Sequence, residues 1–305
     1  MARSPWFVGK QSGGKFIVKN EGFTTGNVFF VDSVTGTNGA GYGRQPEKPF
    51  ATIAYAVAAA TSPVTANNGD VVFVMPSHAE VLTAAAGIVF GVAGTNLIGL
   101  GNGSDRPTIT MGTDAGVDID IEAANVRIKG IDFYFAIADI VAAIDIDAHD
   151  FTIEDCNFYA EGAGLNALIV IQDAALGASD RITIQNCTLT DRDAANTHFV
   201  NFSGTGDGHI VRNNRLLCDC GTMAIGGAGV VTNCVCIDNV IDNAAADNDS
   251  CINFAAASTG ICARNVACGG AAQANGFTAT AMTIGENYYG VSAENLSAIL
   301  DPPNA

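Results

Sequence analysis

Val126-Arg127-Ile128-Lys129-Gly130 returns as Phe151-Thr152-Ile153-Glu154-Asp155 and again as Ile182-Thr183-Ile184-Gln185-Asn186. The phrase continues as Ile210-Val211-Arg212-Asn213-Asn214, Val235-Cys236-Ile237-Asp238-Asn239 and Ile261-Cys262-Ala263-Arg264-Asn265, with a weaker copy at Thr283-Ile284-Gly285-Glu286-Asn287. Its closing residues, 130, 155, 186, 214, 239, 265 and 287, are spaced by 25, 31, 28, 25, 26 and 22 positions. Self-similarity at such a period is the mark of a solenoid, in which each repeat buries its apolar face only against its neighbours. Every repeat holds two or three strand-length runs, as at 117–121, 126–128 and 131–133, divided by Gly, Asn, Asp and Ala. Short runs with turns between them, one set per repeat, predict an all-β, single-stranded parallel β-helix in which coils pair about 4.8 Å apart.

The closing residues gain a role from that stacking. Asn186, Asn214, Asn239, Asn265 and Asn287 would form a structural ladder, each amide bonding its neighbours above and below. Asparagine also tolerates the left-handed backbone that a sharp bend between strands requires.

Outward from the repeats, residues 1–27 show no periodicity and carry Trp6, the chain's only tryptophan, with Arg3, Lys10, Lys15 and Lys19. They read as an arm, with Arg3, Trp6, Phe7 and Lys10 as candidate partner contacts, because aromatic and arginine anchors dominate binding energies. Residues 28–86 read as a strand, a glycine-rich loop, an alanine-rich helix over 49–60 that covers the open end of the solenoid, and a strand at 71–75. Coils fill 87–290, and 291–305 form a C-terminal cap or tail.

The repeat with its asparagine ladder resembles the right-handed parallel β-helix of the pectate-lyase-like superfamily. The opening segment is similar too: Lys48-Pro-Phe-Ala-Thr-Ile53, an alanine-rich helix and Gly69-Asp-Val-Val72 follow in order. The wording at 31–36 (Val-Asp-Ser-Val-Thr-Gly) and at 73–80 (Phe-Val-Met-Pro-Ser-His-Ala-Glu) is most similar to virion proteins of tailed bacteriophages. That likeness implies a non-enzymatic structural protein of a phage particle, a capsid decoration or surface protein held through its arm. The expected partners are the major capsid protein or another virion protein and two further copies in a homotrimer, and the expected location is the virion, after synthesis in the host cytoplasm.

Composition narrows the classes. With 31 acidic and 14 basic residues the net charge is −17, which opposes binding to nucleic acid or to anionic lipid. No apolar run reaches the ~18 residues of a membrane span. The start of the chain lacks the apolar core of a signal peptide, so a reducing cytosol is the expected place of folding. Nine cysteines, including Cys218-Asp-Cys220 and Cys234-Val-Cys236, fall inside strand phrases and are expected as small buried thiols rather than zinc ligands.

One set of residues stands outside the scaffold. In 117–122 and 144–147 the acids alternate with branched residues, so that Asp118 and Asp120 repeat 27 positions later as Asp145 and Asp147. Carboxylates about 5 Å apart suit retaining glycoside hydrolysis, and an oxygen cluster suits Ca²⁺. These four are therefore the catalytic candidates if the chain is an enzyme, and the candidate cation site; no other cofactor is implied. The enzymatic alternative is a tailspike-like depolymerase, hydrolase or lyase, acting on a host surface glycan. Tyr134 and Tyr159, each four residues past a closing residue, would stack on one ridge of such a protein. A secreted pectin lyase fits less well without a signal peptide.

Overall fold

The computed structural model describes residues 8–11, 14–17, 26–59, 61–173, 179–245, 250–269 and 276–291. Three parallel sheets of ten, nine and eight strands run the length of the coils, and each full coil gives one strand to each sheet. The chain passes from the eight-stranded sheet, as at Ile119–Ile121, to the ten-stranded sheet at Arg127–Lys129 and the nine-stranded sheet at Asp132–Phe135. It then returns one coil higher at Ile144–Ile146, Thr152–Glu154 and Asn157–Ala160. The expected all-β, right-handed parallel β-helix is the fold observed.

The strands are two to five residues long, and in many of them buried residues alternate with more exposed ones. In the ten-stranded sheet the middle residues Leu97, Ile128, Ile153, Ile184, Val211, Cys236 and Cys262 face inward and are buried. In the nine-stranded sheet Phe133 stacks on Phe158 with ring centroids 4.9 Å apart, and Phe199 of the eight-stranded sheet meets Phe158 edge-on across the interior at 5.9 Å. Burial of each such side chain contributes roughly 1.5–3 kcal/mol. Cysteines take interior positions: Cys156, Cys187, Cys218, Cys220, Cys234, Cys236, Cys251 and Cys262 are all buried, as expected of small apolar fillers.

The bend between the ten- and nine-stranded sheets is the tightest corner, only residues 130–131, 155–156, 186–187, 213–214, 238–239, 264–265 and 286–287. Its first residue is always left-handed: Gly130, Asp155, Asn186, Asn213, Asp238, Arg264 and Glu286 have φ between 53° and 75°. The second residue points inward, giving the column Ile131, Cys156, Cys187, Asn214, Asn239, Asn265 and Asn287. Asn214, Asn239 and Asn265 each donate from Nδ2 to Oδ1 of the next asparagine at 2.9–3.0 Å. The same Oδ1 atoms accept the backbone N–H of the asparagine below at 2.9–3.1 Å, and Asn239 Nδ2 also reaches Val211 O at 3.0 Å.

Two expectations change here. Asn186 is not a rung: it holds the left-handed position and is exposed, while Cys187 behind it donates its N–H to Asn214 at 2.9 Å. Matching asparagine to asparagine slipped the phase by one residue from the fourth copy onward. Thr183 pairs with Ile210, so His209 rather than Ile210 continues the column of Phe151 and Ile182. Second, the helix expected over 49–60 is only Ile53–Val57. Thr52 caps it by accepting the Tyr55 N–H at 3.1 Å, and the Glu80 carboxylate accepts the Ile53 and Ala54 N–H groups at 2.6 and 3.3 Å. The antiparallel pair Val8–Gln11 and Gly14–Ile17 lies within the segment read as an arm.

Loss of one rung strands buried donors and acceptors on both sides, each costing about 1–3 kcal/mol. Asn239→Ala is expected to lower unfolding stability by about 3 kcal/mol or more, whereas Asn186→Gly, at an exposed left-handed position, should stay within about 0.5 kcal/mol of the parent. Urea denaturation of the two variants checks both; equal losses would contradict the phase of the ladder.

Candidate functional site

The acidic strands of the eight-stranded sheet come together, with a different partnering from the one expected. Asp145 pairs with Asp120, and Ile144 and Ile146 with Ile119 and Ile121, a spacing of 25 in place of 27. A strictly alternating strand looks the same after a shift of two, so its own pattern leaves the register open. The neighbouring strand decides it, because Arg127 pairs with Thr152 at the same spacing of 25. Asp147 consequently lies beside Glu122, and Asp118 beside Ala143, where the Asp118 carboxylate accepts the Ala86 N–H.

Electrostatics on this face are one-signed. Burial first, then Asp118, Asp145, Glu122 and Asp147, pushes the Asp120 carboxyl up to about 6. Burial followed by Asp147 and Asp118 does the same to Asp145, also to about 6, and burial raises Asp118. Val89 and Gln172 flank the Asp120–Asp145 pair on the next strands. Among the described residues no group of three or more His, Cys, Asp or Glu side chains is placed to hold a metal ion. The carboxylates lie in rows along two strands instead of around a point, so they do not fit the Ca²⁺ site expected for them.

A second polar assembly lies at the bend between the ten- and nine-stranded sheets, which no single motif announced. Where later coils turn in two residues, the first complete coil spends residues 100–107, between Asn96–Gly99 and Thr108–Met111. This loop contains a 3₁₀ turn at Gly103–Asp105 and stands against the bends of the next three coils. Gly101 has φ +113°, and a Cβ there would fall 2.2 Å from the Asp105 carbonyl oxygen, so the return of the loop requires glycine. Gly99, Gly101, Asn102 and Arg106 on one side and Lys129, Gly130, Asp155, Asn157 and Asn186 on the other enclose an open cleft of about 410 Å³.

The lining is fixed by charge-assisted bonds. Arg106 Nε donates to Asp132 Oδ1 at 2.7 Å, and its guanidinium also reaches the Asp155 carbonyl oxygen. Asn157 donates to Asp132 Oδ1 at 2.7 Å and accepts from the Thr188 hydroxyl at 2.6 Å. Lys129 Nζ lies 3.4 Å from Asp155 Oδ2 and 4.0 Å from Glu154 Oε1. Glu154 is also held by Arg127 and by Gln185. Burial, the largest single effect, works against its charge, but the Arg127 bond and charge, the Gln185 bond and the Lys129 charge together keep the carboxyl below the usual range. Beside the cleft, on the outer face of the nine-stranded sheet, Tyr134 and Tyr159 stack at 5.2 Å as the sequence implied. Their faces cover one another, which leaves mainly ring edges and hydroxyls to a ligand.

Of the expected arm contacts, Arg3, Trp6 and Phe7 lie outside the described residues. Lys10 belongs to Val8–Gln11, of which only the backbone is described. The histidines do not meet: His78 and His209 are buried, His149 sits in an exposed turn against Asp180, and burial pushes His198 down to about 4.

No family model matches the sequence, and no curated protein does. Among solved structures the chain is similar to a rhamnogalacturonan lyase, at 15% identity and TM-score 0.41 over 91% of this chain and 66% of that one. It is also similar to the GH136 lacto-N-biosidase from Eubacterium ramulus, at 10% identity and TM-score 0.26 over 87% of this chain and 68% of that one. The chain thus spans just under two thirds of the lyase's length.

The acidic face predicts a pH response. Carboxyls near 6 in the folded chain, against 3.8 ordinarily, bind protons that the unfolded chain releases between those values. Stability therefore falls as pH rises through that window. Asp145→Asn should flatten the fall in Tm between pH 4 and 7 and raise Tm at pH 8. A pH profile parallel to the parent's would show that the pair titrates as ordinary surface carboxylates.

Proposed function

We propose that the chain is a glycan-binding β-helix whose ligand is an uncharged polysaccharide seated in the bend cleft. The observation that carries this reading is the lining itself, in which guanidinium, ammonium, carboxylate and three amide side chains converge on one concavity. Sugar hydroxyls donate and accept at once, so they need donors and acceptors side by side. Ordinary small-molecule pockets are mostly apolar with a few polar groups, and the lining here is the reverse. The cations are already matched, Arg106 to Asp132 and Lys129 to Asp155. An acidic polymer would gain little from them and would meet a protein of net charge −17. Attachment to a virion through the arm draws no support from the described residues, and the cleft does not depend on it.

A glycan array carrying linear neutral glucans, galactans and mannans beside polygalacturonate tests the reading. Neutral chains should bind. Asn102→Ala and Asn186→Ala, which each remove one lining amide, should weaken that binding by about threefold to tenfold, the worth of about one hydrogen bond. Preference for polygalacturonate, or unchanged affinity in both variants, would overturn it.

A second reading, cleavage of a glycan held on the eight-stranded sheet and not in the cleft, rests on a separate observation, the Asp120–Asp145 pair on adjacent strands. In-register strands lie about 4.8 Å apart, close to the ~5 Å between the carboxyls of retaining glycosidases, and a raised carboxyl is what a general acid needs. New reducing ends that accumulate with the parent protein and vanish with both Asp120→Asn and Asp145→Asn would establish it; their absence leaves a binding protein.

A further inference from the structure

We infer that the cleft reads the end of a polysaccharide chain and not an internal stretch. This inference rests on the glycan-binding reading and adds the form of the ligand. The groups facing the ligand recur once per coil at the same corner: Lys129 and Gly130, then Asp155 and Asn157, then Asn186. Successive coils are about 4.8 Å apart, comparable to the length of one pyranose ring in a linear chain. A polymer that uses these groups in turn therefore lies parallel to the solenoid axis, one sugar per coil.

Along that axis the two ends of the cleft differ. Toward the N-terminus the path meets residues 100–107, where every later bend has two residues. The loop is a fixed wall. Arg106 is tied to Asp132 at 2.7 Å and to the Asp155 carbonyl oxygen, and Asp105 O accepts the Ser77 N–H at 2.8 Å from the preceding coil. Arg106 is thus held by the same coils that supply the floor of the cleft, which preorganises wall and floor as one body. Toward the C-terminus the corner continues as the short bends 213–214, 238–239 and 264–265, with Asn213 and Arg264 exposed. Among the described residues, no bend of this corner beyond 186–187 is longer than two residues. A linear chain can leave in this direction only, so the sugar against Asn102 and Arg106 is a terminal one.

The test uses the full-length protein and linear glucan, galactan and mannan, each intact and after partial acid hydrolysis, at equal mass of sugar. Isothermal titration counts binding sites per gram. Recognition of ends makes the count rise in proportion to the number of chains, about tenfold for a tenfold cut in mean length, at unchanged affinity per site. A count per gram that stays constant on hydrolysis would overturn the inference while leaving the glycan reading standing. Absence of binding to any intact or hydrolysed polymer would overturn that reading and the inference with it. Replacing residues 100–107 by a two-residue Asn-Gly bend removes the wall. Provided the variant keeps the parent's far-ultraviolet circular dichroism, it should gain sites on the intact polymer that the parent lacks; a site count still tied to chain ends would also overturn the inference.

Discussion

Everything on the surface of this molecule depends on how each coil turns the corner between its ten- and nine-stranded sheets. From residue 130 onward two residues do it, one left-handed and on the outside, the next inward. The left-handed residue costs about 1 kcal/mol or more unless it is Gly, Asn or Asp, and Arg264 and Glu286 accept that cost. What repays it is the inward column, where each asparagine bonds backbone and side chain of its neighbours. A rung that satisfies both its own amide and a neighbour's N–H removes polar groups that would otherwise be buried unpaired. It also locks coil to coil in a single register, since a shift by one residue would turn the rung outward and bring the bend residue into the core.

The column changes character along the axis. Ile131, Cys156 and Cys187 occupy it in the early coils and asparagines in the later ones. An apolar residue there leaves the corner to be held by other means, and the early coils have them. Arg106, Asp132, Asn157, Lys129 and Asp155 form a bonded network on the outside of the same corner. The polar bonding that later coils keep inside is displaced outward where the cleft lies. At the later corners Asp238 and Arg264 form one exposed ion pair, whereas the early coils present a connected set of oriented polar groups. The cleft and the absence of rungs behind it are two consequences of one choice of residues.

The fold was legible because the solenoid repeats itself, and alternation with period two is unambiguous about which residues face in within one strand. Register between strands was harder. Asp118-Ile-Asp120-Ile121 looks the same after a shift of two, and only the turn lengths on either side decide that Asp120 meets Asp145. Asn213-Asn214 posed the same difficulty at the bend, where two asparagines with opposite roles adjoin. The cleft was less legible still. Its residues belong to four coils, and each taken singly reads as scaffold. The signal that could have found it was the first coil's departure from the repeat, Gly99-Leu-Gly-Asn-Gly-Ser-Asp-Arg-Pro107 standing where two residues suffice.

Charge is divided in the same manner. On the eight-stranded sheet Asp118, Asp120, Glu122, Asp145 and Asp147 face one another without a cation among the charges that act on them. At the bend each acid has a base: Asp132 has Arg106, Glu154 has Arg127, Asp155 has Lys129. Fourteen bases against 31 acids cannot neutralise the whole surface, so where they are placed is informative. Exposed pairs add little stability, typically 0–1 kcal/mol, whether at this corner or elsewhere, as at Arg181–Asp150, Arg192–Asp242 and Arg264–Asp238. Pairing does something else at this corner. It holds long side chains in fixed directions and cancels the local field, leaving an oriented polar lining that neither attracts nor repels ions. An uncharged, hydroxyl-rich ligand is the kind for which such a lining is selective, and one wall across its path makes it selective for where the chain stops.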